Sequence, residues 1–358
     1  MRFSHFNILK SFLDFDKVDF IVLNSRHRLS LAQIDKLGLH KTKKEDLIQE
    51  KVKALAELKQ VQSAFDQLGA SGISFILLKG IGLSQRIYQD PTFRCSKDLD
   101  ILVPNREEVI QLRTFLLENG WEPVYSYWVE DLPQRDWYLD LANDEPLVNP
   151  ETGINIEIHW DLDRLIFDLP STEFQELIQQ NTTRIQVLNR SIRVLSPELE
   201  LVYLFAHGAR HAWFRLKWLV DIIHYPVEKI DQPKFQKLLK RFHATHFLPE
   251  ANELANFYFG RGIELPMQGK PNPFVIKYSK EQIANEVVIG FPNLKAFLKY
   301  LYHHYFLFEK KSKAFKFLFR TIGIRPQDIS AVKLPYYWQY FFYRYYSLLK
   351  RKMNPLRE

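Results

Sequence analysis

Residues 75–103, FILLKGIGLSQRIYQDPTFRCSKDLDILV, decide the fold, and the rest of the chain is organised around them. The apolar run at 73–78 ends at Lys79-Gly80, which predicts a short buried strand followed by a turn. Gly80 permits a sharp turn and a close approach of the backbone to a ligand. We predict a helix over 81–88, which begins where its free N–H groups and its dipole can meet an anion.

The second predicted strand, residues 98–103, carries two carboxylates on one face. Side chains alternate along a strand, so Asp98 and Asp100 share a face while Leu99 and Ile101 point into a core. Two neighbouring carboxylates repel each other, and a divalent cation between them relieves this repulsion. Surface acids are the alternative, but the apolar end of this strand favours a buried position and therefore metal ligation.

A strand predicted at residues 155–160 supplies a third carboxylate. Ile156 and Ile158 point inward, and Glu157 and His159 lie on the other face. If this strand lies beside the first carboxylate strand, three carboxylates converge. Such a site suits Mg²⁺, with Mn²⁺ as a second choice, together with the phosphates of a substrate. His159 either orients Glu157 or is buried and hydrogen-bonded, and we favour the second interpretation.

The order of these motifs resembles the DNA polymerase beta-like nucleotidyltransferase superfamily. It is closer to one branch, the bacterial uncharacterised nucleotidyltransferase family. There Leu-Lys-Gly is followed by Tyr-x-x-Pro, Arg and Asp-Ile-Asp, then by a glutamate strand ending in His-Trp and by a histidine helix. The resemblance covers about residues 75–221. The matching positions are Leu78, Lys79 and Gly80, Tyr88 and Pro91, Arg94, Asp98 and Asp100, Glu157, His159 and Trp160, and the helix at 207–213.

The resemblance implies an α/β (α+β) fold. Its core is the small mixed sheet of a polymerase-beta-like nucleotidyltransferase, with an N-terminal helical lead-in and a largely helical C-terminal half. It implies a metal-dependent enzyme that moves a nucleoside monophosphate from a nucleoside triphosphate, such as ATP, to an unidentified acceptor and releases pyrophosphate. The residues that it implies are Asp98, Asp100 and Glu157 in catalysis and metal binding, and Lys79, Gly80 and Arg94 at the phosphates.

One departure from the superfamily concerns the first motif. The superfamily usually has Gly-Ser or Gly-Gly there, and the serine helps to hold the triphosphate, whereas Gly80 is followed by Ile81 in this chain. Lys79 either neutralises phosphate charge or pairs with an active-site carboxylate. Arg94 is either a surface arginine or a phosphate clamp, and its place four residues before Asp98 in the family pattern favours the clamp.

The histidine helix offers a second group of candidate residues. His207 and His211 share a helix face at a spacing that zinc ligands also use. No glutamate follows His207, so the metalloprotease pattern is absent. We expect a structural pair, or a pair that contacts nucleotide or acceptor together with Arg210 and Lys217. Asp221 can fix the tautomer of one histidine, and Asp221 and His159 are further possible contacts of the nucleotide or acceptor.

The composition bounds the class of protein. A chain of 358 residues, 46% apolar, is long enough for about two domains with a sizeable core. We divide it into a helical lead-in at 1–70, a nucleotidyltransferase core at 71–195 and a helical C-terminal domain at 196–358. The single cysteine, Cys95, excludes intramolecular disulfides and cysteine-based zinc sites and fits a reducing, cytoplasmic compartment. The sequence predicts neither a signal peptide nor a membrane span.

Local patterns predict further elements. Ser30, Asn105 and Ser196 are typical helix caps, and the helix after Ser196 begins with a proline. A long amphipathic helix is predicted from residue 45 to residue 69. The remaining predictions are helices at 31–37, 105–118 and 172–179, strands at 121–129, 183–188 and 191–195, and an irregular segment at 132–147.

The C-terminal part is basic and aromatic. Residues 301–358 hold twelve Lys and Arg against three Asp and Glu, a formal charge of +9. Aromatic residues interleave with these charges, as in YYWQYFFYRYY at 336–346. Such a segment can stack bases and hold phosphates, lie at a membrane interface, or pack its aromatics on the body with its lysines in water. Contact with an anionic polymer or membrane surface, and a peripheral location at the membrane, therefore stay open.

Other functions compete with nucleotidyl transfer. An Asp-x-Asp motif also serves sugar-nucleotide-dependent glycosyltransferases, although no repeated βαβ series precedes the motif here. A non-catalytic module that binds nucleotide or nucleic acid is a second alternative, and an RNA-modifying toxin is a third. The net charge of +7 permits an anionic partner without choosing among these functions.

Overall fold

The computed structural model describes residues 20–94, 96, 98–285 and 293–353. The predictions for Cys95 and for the first nineteen residues therefore lie outside the described residues. The described part combines one mixed β-sheet with many helices, which confirms the predicted α/β class. Within this part, none of the helices has both the length and the apolar character needed to cross a membrane.

One sheet contains all seven strands of the described residues. The strands are Ile76–Leu77 (β1), Asp98–Leu102 (β2), Glu122–Pro123 (β3), Asp144–Val148 (β4), Asn155–His159 (β5), Thr182–Val187 (β6) and Arg190–Leu195 (β7). Their order in the sheet is β3-β4-β5-β2-β1-β7-β6. Near the centre, β2 pairs in parallel with β5 and antiparallel with β1, and β1 pairs in parallel with β7. The outer pairs are antiparallel.

The described residues also form sixteen α-helices, several of them capped as the sequence predicts. Ser30 accepts the N–H of Gln33 in a capping box, and Asn105 and Ser196 accept N–H groups from the first turns of their helices. The helices are Phe20–Ser25 (α1), Leu31–Lys36 (α2), Lys44–Ala70 (α3), Gly80–Tyr88 (α4), Arg106–Glu118 (α5), Gln134–Leu141 (α6), Ser171–Gln180 (α7), Pro197–Arg210 (α8), Leu216–Ile223 (α9), Gln232–Arg241 (α10), Phe247–Phe259 (α11), Pro273–Ala284 (α12), Leu294–Leu307 (α13), Lys311–Ile322 (α14), Pro326–Ala331 (α15) and Gln339–Met353 (α16).

Two predictions before β5 are wrong. The strand predicted at 121–129 is reduced to β3, and the segment 132–147, predicted to be irregular, contains α6 and most of β4. The local sequence pattern does not predict β4, because this strand contains Pro146 and two acidic residues, and both residue types are depleted in strands. The strand forms because it pairs with β5 along its whole length. Glu145 of β4 is buried, and its Oε1 accepts a hydrogen bond from Nε of Arg113 at 3.3 Å.

The two faces of the sheet contribute to two hydrophobic cores. Leu99 and Ile156 pack on one face with the long helix α3. Ile76 and Leu102 belong to a larger core that includes α8, α9 and helices of the C-terminal half. Because side chains alternate along β2, Asp100 lies on the same face as Leu102 and points toward α8. The division into three domains stays a prediction.

Candidate active site

The parallel pairing of β2 with β5 brings the predicted carboxylates together. Asp100 lies directly opposite Glu157 in the register, and Asp98 lies opposite Asn155. Nδ2 of Asn155 donates to Oδ1 of Asp98 at 3.3 Å, at the exposed start of β2. Asp98 is exposed to solvent, whereas Asp100, two residues further along the strand, is buried.

His159 completes a compact group with two of these carboxylates. Its Nε2 lies 3.4 Å from Oδ1 of Asp100 and 3.4 Å from Oε2 of Glu157. One ligand atom from each of the three residues lies within 4.8 Å of the others. His159 is buried as expected, and its Nε2 faces both carboxylates at ion-pair distance, without the geometry of a close hydrogen bond to either. Two carboxylates and an imidazole brought this close are a set of ligand atoms that a divalent cation can use.

The charged side chains of Asp100, Glu157, His159 and Lys79 lie close together, and they shift one another's pKa values. Burial alone lowers the pKa of His159, but contacts with the carboxylates outweigh it and raise the pKa to about 9. Burial raises the pKa of Asp100, but Lys79 and His159 outweigh it and hold the pKa well below its usual range. The contact with His159 lowers the pKa of Glu157, yet burial and the negative charge of Asp100 leave that pKa raised.

Lys79 approaches the same group from the turn before α4. Its Nζ lies 3.2 Å from Oδ1 of Asp100 and 5.7 Å from the ring centre of Tyr203. Burial lowers the pKa of Lys79, but Asp100, Tyr203 and Glu157 outweigh it and leave the pKa raised, so the ammonium stays charged. The structure therefore shows the carboxylate pairing that the sequence offered as one role for Lys79, and phosphate binding stays a prediction.

Gly80 brings the start of α4 against β2. Its φ of +64° is a left-handed conformation that favours glycine. A Cβ at this position would lie 2.8 Å from Oγ of Ser96 and 3.4 Å from the carbonyl oxygen of Asp98. Lys79, which precedes the helix, provides no side-chain cap for its first N–H groups. This start of α4 has the form expected of an anion-facing helix end, and phosphate binding by Gly80 stays a prediction.

We expect Gly80→Ala to lower the free energy of unfolding by about 1–3 kcal/mol, because the new methyl group adds a clash to the strain of a left-handed residue. Gly72→Ala is the matched control: its φ is +71°, and no atom lies within 4 Å of the added Cβ. Urea unfolding of both variants gives the comparison. Equal losses in the two variants would contradict the close packing at Gly80.

Arg94 and Asp221 form a buried ion pair beside the site. Nε of Arg94 lies 3.0 and 2.9 Å from the two carboxylate oxygens of Asp221, and the side chains are 3% and 0% exposed. Arg94 is therefore not a surface arginine, and its role as a phosphate clamp stays a prediction. Asp221 uses both carboxylate oxygens on Arg94, and its role in fixing a histidine tautomer stays a prediction. Lys217 lies one turn earlier on α9, where burial and Arg94 lower its pKa to about 7.

The histidine pair lies in an aromatic cluster on α8. The ring centres of His207 and His211 are 4.8 Å apart, and they lie 5.0 and 5.3 Å from Trp218. Burial lowers the pKa of His207 well below its usual range and that of His211 to about 3, so both rings are neutral near neutral pH. Arg210 turns to another partner, since its Nη1 donates to Oδ2 of Asp163 at 2.7 Å. Nucleotide or acceptor contacts by these residues stay predictions.

Comparison with known proteins identifies the family. The sequence model of the uncharacterised nucleotidyltransferase family matches residues 30–260, which is more than half of the chain. The chain belongs to this family. No curated protein matches the sequence significantly. Among solved structures, an antigenic nucleotidyltransferase-like protein from Paracoccidioides brasiliensis is similar at 17% identity and a TM-score of 0.31, over 52% of this chain and 88% of that chain.

Sequence reasoning missed two residues beside the carboxylates of this family member. Tyr203 lies one turn before His207 on α8, and this spacing could have identified it. Asp144 places Oδ2 3.8 Å from Nδ1 of His159. It was missed because β4 was not predicted, and only the pairing of β4 with β5 brings Asp144 to the site.

Proposed function

We propose that the protein is a metal-dependent nucleotidyltransferase, which moves a nucleoside monophosphate from a nucleoside triphosphate to an acceptor and releases pyrophosphate. One observation carries this proposal: Asp100 and Glu157 lie side by side on parallel strands, with Nε2 of the buried His159 3.4 Å from a carboxylate oxygen of each. Membership of the nucleotidyltransferase family supports the same class of reaction.

The residues of the site fit a divalent cation. Asp100, Glu157 and His159 offer ligand atoms within 4.8 Å of one another, and Asp98 precedes Asp100 by two residues on the same strand face. Carboxylates suit Mg²⁺ and Mn²⁺ alike, whereas an imidazole ligand shifts the preference toward transition metals. We assign Asp98, Asp100 and Glu157 as the main ligands of Mg²⁺, with Mn²⁺ able to replace it. When bound, the cation neutralises charge that develops on the phosphates.

Side chains and backbone groups of the protein act on the leaving pyrophosphate and on the acceptor. The acceptor oxygen bonds to the α-phosphorus while the bond from that phosphorus to the pyrophosphate oxygen breaks, so negative charge develops on the leaving pyrophosphate. Lys79 and the uncapped start of α4 at Gly80 lie beside Asp100 and Asp98, where they can meet that charge. Glu157, on the neighbouring strand, serves the acceptor side.

The substrates belong to the same proposal. The donor is a nucleoside triphosphate, and ATP is the first to test. The acceptor is a hydroxyl or other nucleophile on a small molecule, glycan, protein or RNA. We place the reaction in the cytoplasm, where such triphosphates are abundant.

Titration calorimetry with non-hydrolysable nucleoside triphosphates tests the proposal, with and without Mg²⁺ or Mn²⁺. We expect the wild-type protein to bind at least one nucleotide in a metal-dependent way. We expect Asp98→Asn/Asp100→Asn to weaken this binding by about tenfold or more, because the cation loses two of its ligands. Asp131→Asn, a change at a carboxylate that is 64% exposed in a surface ion pair, is the matched control.

Thermal unfolding of the double variant separates loss of the site from loss of the fold. Full nucleotide binding by a folded Asp98→Asn/Asp100→Asn protein would refute the assignment of the metal site. Binding of UDP-sugars in place of nucleoside triphosphates would favour the glycosyltransferase alternative.

A further inference from the structure

The last helix, α16, presents apolar side chains to solvent as well as to the body. Tyr340 and Arg344 are buried and point inward. On the opposite side of the helix, side chains recur at intervals of four, four and three residues, which places them on one face. They are 60–65% exposed, and they are Trp338, which directly precedes the helix, and Phe342, Tyr346 and Leu349 on the helix itself.

A second helix, α14, shows the same division. Phe317 is buried, whereas Phe315 and Phe319, four residues apart, are 56% and 77% exposed. Nε of Arg344 donates to the carbonyl oxygen of Ile322 at 3.2 Å, so α16 is held against the end of α14. The two outward stripes therefore lie on adjacent helices. We call them the apolar surface: Phe315, Phe319, Trp338, Phe342, Tyr346 and Leu349.

The net positive charge of the sequence lies in the segment that carries this surface. Residues 301–358 carry +9, whereas the preceding 300 residues hold 37 Lys and Arg against 39 Asp and Glu. Lys350 lies on α16, and Lys316 lies on α14, where its side chain is 52% exposed and pairs with the partly exposed Asp168 at 3.0 Å. Exposed aromatic and aliphatic side chains flanked by lysines are the signature of a helix that lies in the interface of an anionic membrane.

Charge and shape distinguish three possible occupants of this surface: a second copy of the chain, single-stranded nucleic acid and a lipid bilayer. A second copy of the chain would bring a second strongly basic segment against the first, and like charges oppose such a contact. Single-stranded nucleic acid is held in basic grooves that follow its backbone, whereas these stripes lie on outward faces of helices. We propose that the apolar surface binds an anionic lipid bilayer peripherally, with Phe315, Phe319, Trp338 and Phe342 among the acyl chains and headgroups and the lysines at the lipid phosphates.

Vesicle flotation of the full chain tests this proposal. We expect the protein to float with vesicles of phosphatidylcholine mixed with phosphatidylglycerol, to float much less with phosphatidylcholine alone, and to dissociate as salt is raised. Phe319→Ser/Phe342→Ser should weaken binding to the mixed vesicles by about tenfold or more, because two apolar anchors are lost. Ile48→Ser/Val52→Ser removes two exposed apolar side chains from α3 and should leave vesicle binding unchanged.

Three results would overturn the proposal. These are absence of wild-type binding to the mixed vesicles, equal binding by Phe319→Ser/Phe342→Ser, and a dimer, seen by light scattering, that only the wild-type protein forms and that excludes vesicles. A gel shift with single-stranded RNA without vesicle binding would point to nucleic acid instead. Nucleotide titration is independent of these measurements, so a failure here leaves the proposed reaction untouched.

Discussion

Asp221→Asn is expected to lower the free energy of unfolding by about 3–5 kcal/mol, because it leaves the guanidinium of Arg94 buried without a counter-charge. The two side chains are almost fully buried, and Nε of Arg94 lies within 3.0 Å of both carboxylate oxygens. Lys217, one turn earlier on α9, is a basic group and offers Arg94 no replacement for the lost carboxylate.

Urea unfolding measures this loss, and two further variants sharpen it. Asp131→Asn breaks an ion pair with Lys333 whose side chains are 64% and 68% exposed, so its effect should stay below about 1 kcal/mol. Arg94→Met/Asp221→Leu removes both buried charges and should recover most of the stability lost in Asp221→Asn. A double variant as unstable as the single one would show that the loss does not come from an unpaired charge.

The same double variant examines the phosphate role that the sequence suggests for Arg94. If the arginine only pairs with Asp221, a folded Arg94→Met/Asp221→Leu protein binds nucleotide as the wild-type protein does. A folded double variant that has lost nucleotide binding would instead support the phosphate clamp.

The contribution of the Glu250 carboxyl group to the free energy of unfolding should fall as pH rises from about 4.5 to about 8. Glu250 lies on α11, is 3% exposed and has no ion pair among the described residues. Burial raises its pKa from 4.5 to about 8, against a weaker opposing contact with the backbone of Asn272. The folded protein therefore keeps a proton that the unfolded chain releases near pH 4.5. Its contribution is fully present below that pH and is lost as pH rises to about 8.

Glu250→Gln isolates this contribution, because glutamine does not titrate. Each pH unit in this window is worth about 1.4 kcal/mol, so the variant should be more stable than the wild-type protein at pH 8 by several kcal/mol and similar to it near pH 5. Burial lowers the pKa of histidines such as His27 and His211 to about 3, so these residues make the protein more stable as pH rises. Both proteins contain these histidines, so the quantity to plot against pH is the difference between their free energies of unfolding. Glu253→Gln, at an exposed position on the same helix, is the control. A difference that does not change with pH would show that Glu250 is ionised in the fold.

The elements that the sequence predicted correctly are those with complete local signals. The alternation around Asp100 and Glu157 predicted both central strands, and the caps at Ser30, Asn105 and Ser196 predicted three helix starts. These signals depend on neighbours a few residues away, which a sequence displays directly. The local pattern does not show that the two strands are neighbours, and the convergence of their carboxylates depends on this. In the structure the two strands pair in parallel.

The features that the sequence did not predict are set by distant contacts. β4 contains a proline and two acids, and only its pairing with β5 and the contact of Glu145 with Arg113 make it a strand. The partner of Asp221 is 127 positions away in the chain, so no local pattern could reveal it. The contact of His159 with Asp100 likewise follows from the pairing of two strands, and not from the residues next to His159 in the chain.

The parallel pairing of β2 with β5 has a consequence for biosynthesis. Asp98 and its partner Asn155 are 57 positions apart, and the Arg94–Asp221 pair spans 127. Parallel strands need a long crossover, and closing such loops precedes any gain from the contacts they bring. A nascent chain that has emerged only as far as β4 lacks Asn155, Glu157 and His159, the groups that β5 brings to Asp98 and Asp100. The acidic centre therefore assembles only after the ribosome has passed β5, and the buried ion pair closes later still, when α9 has emerged.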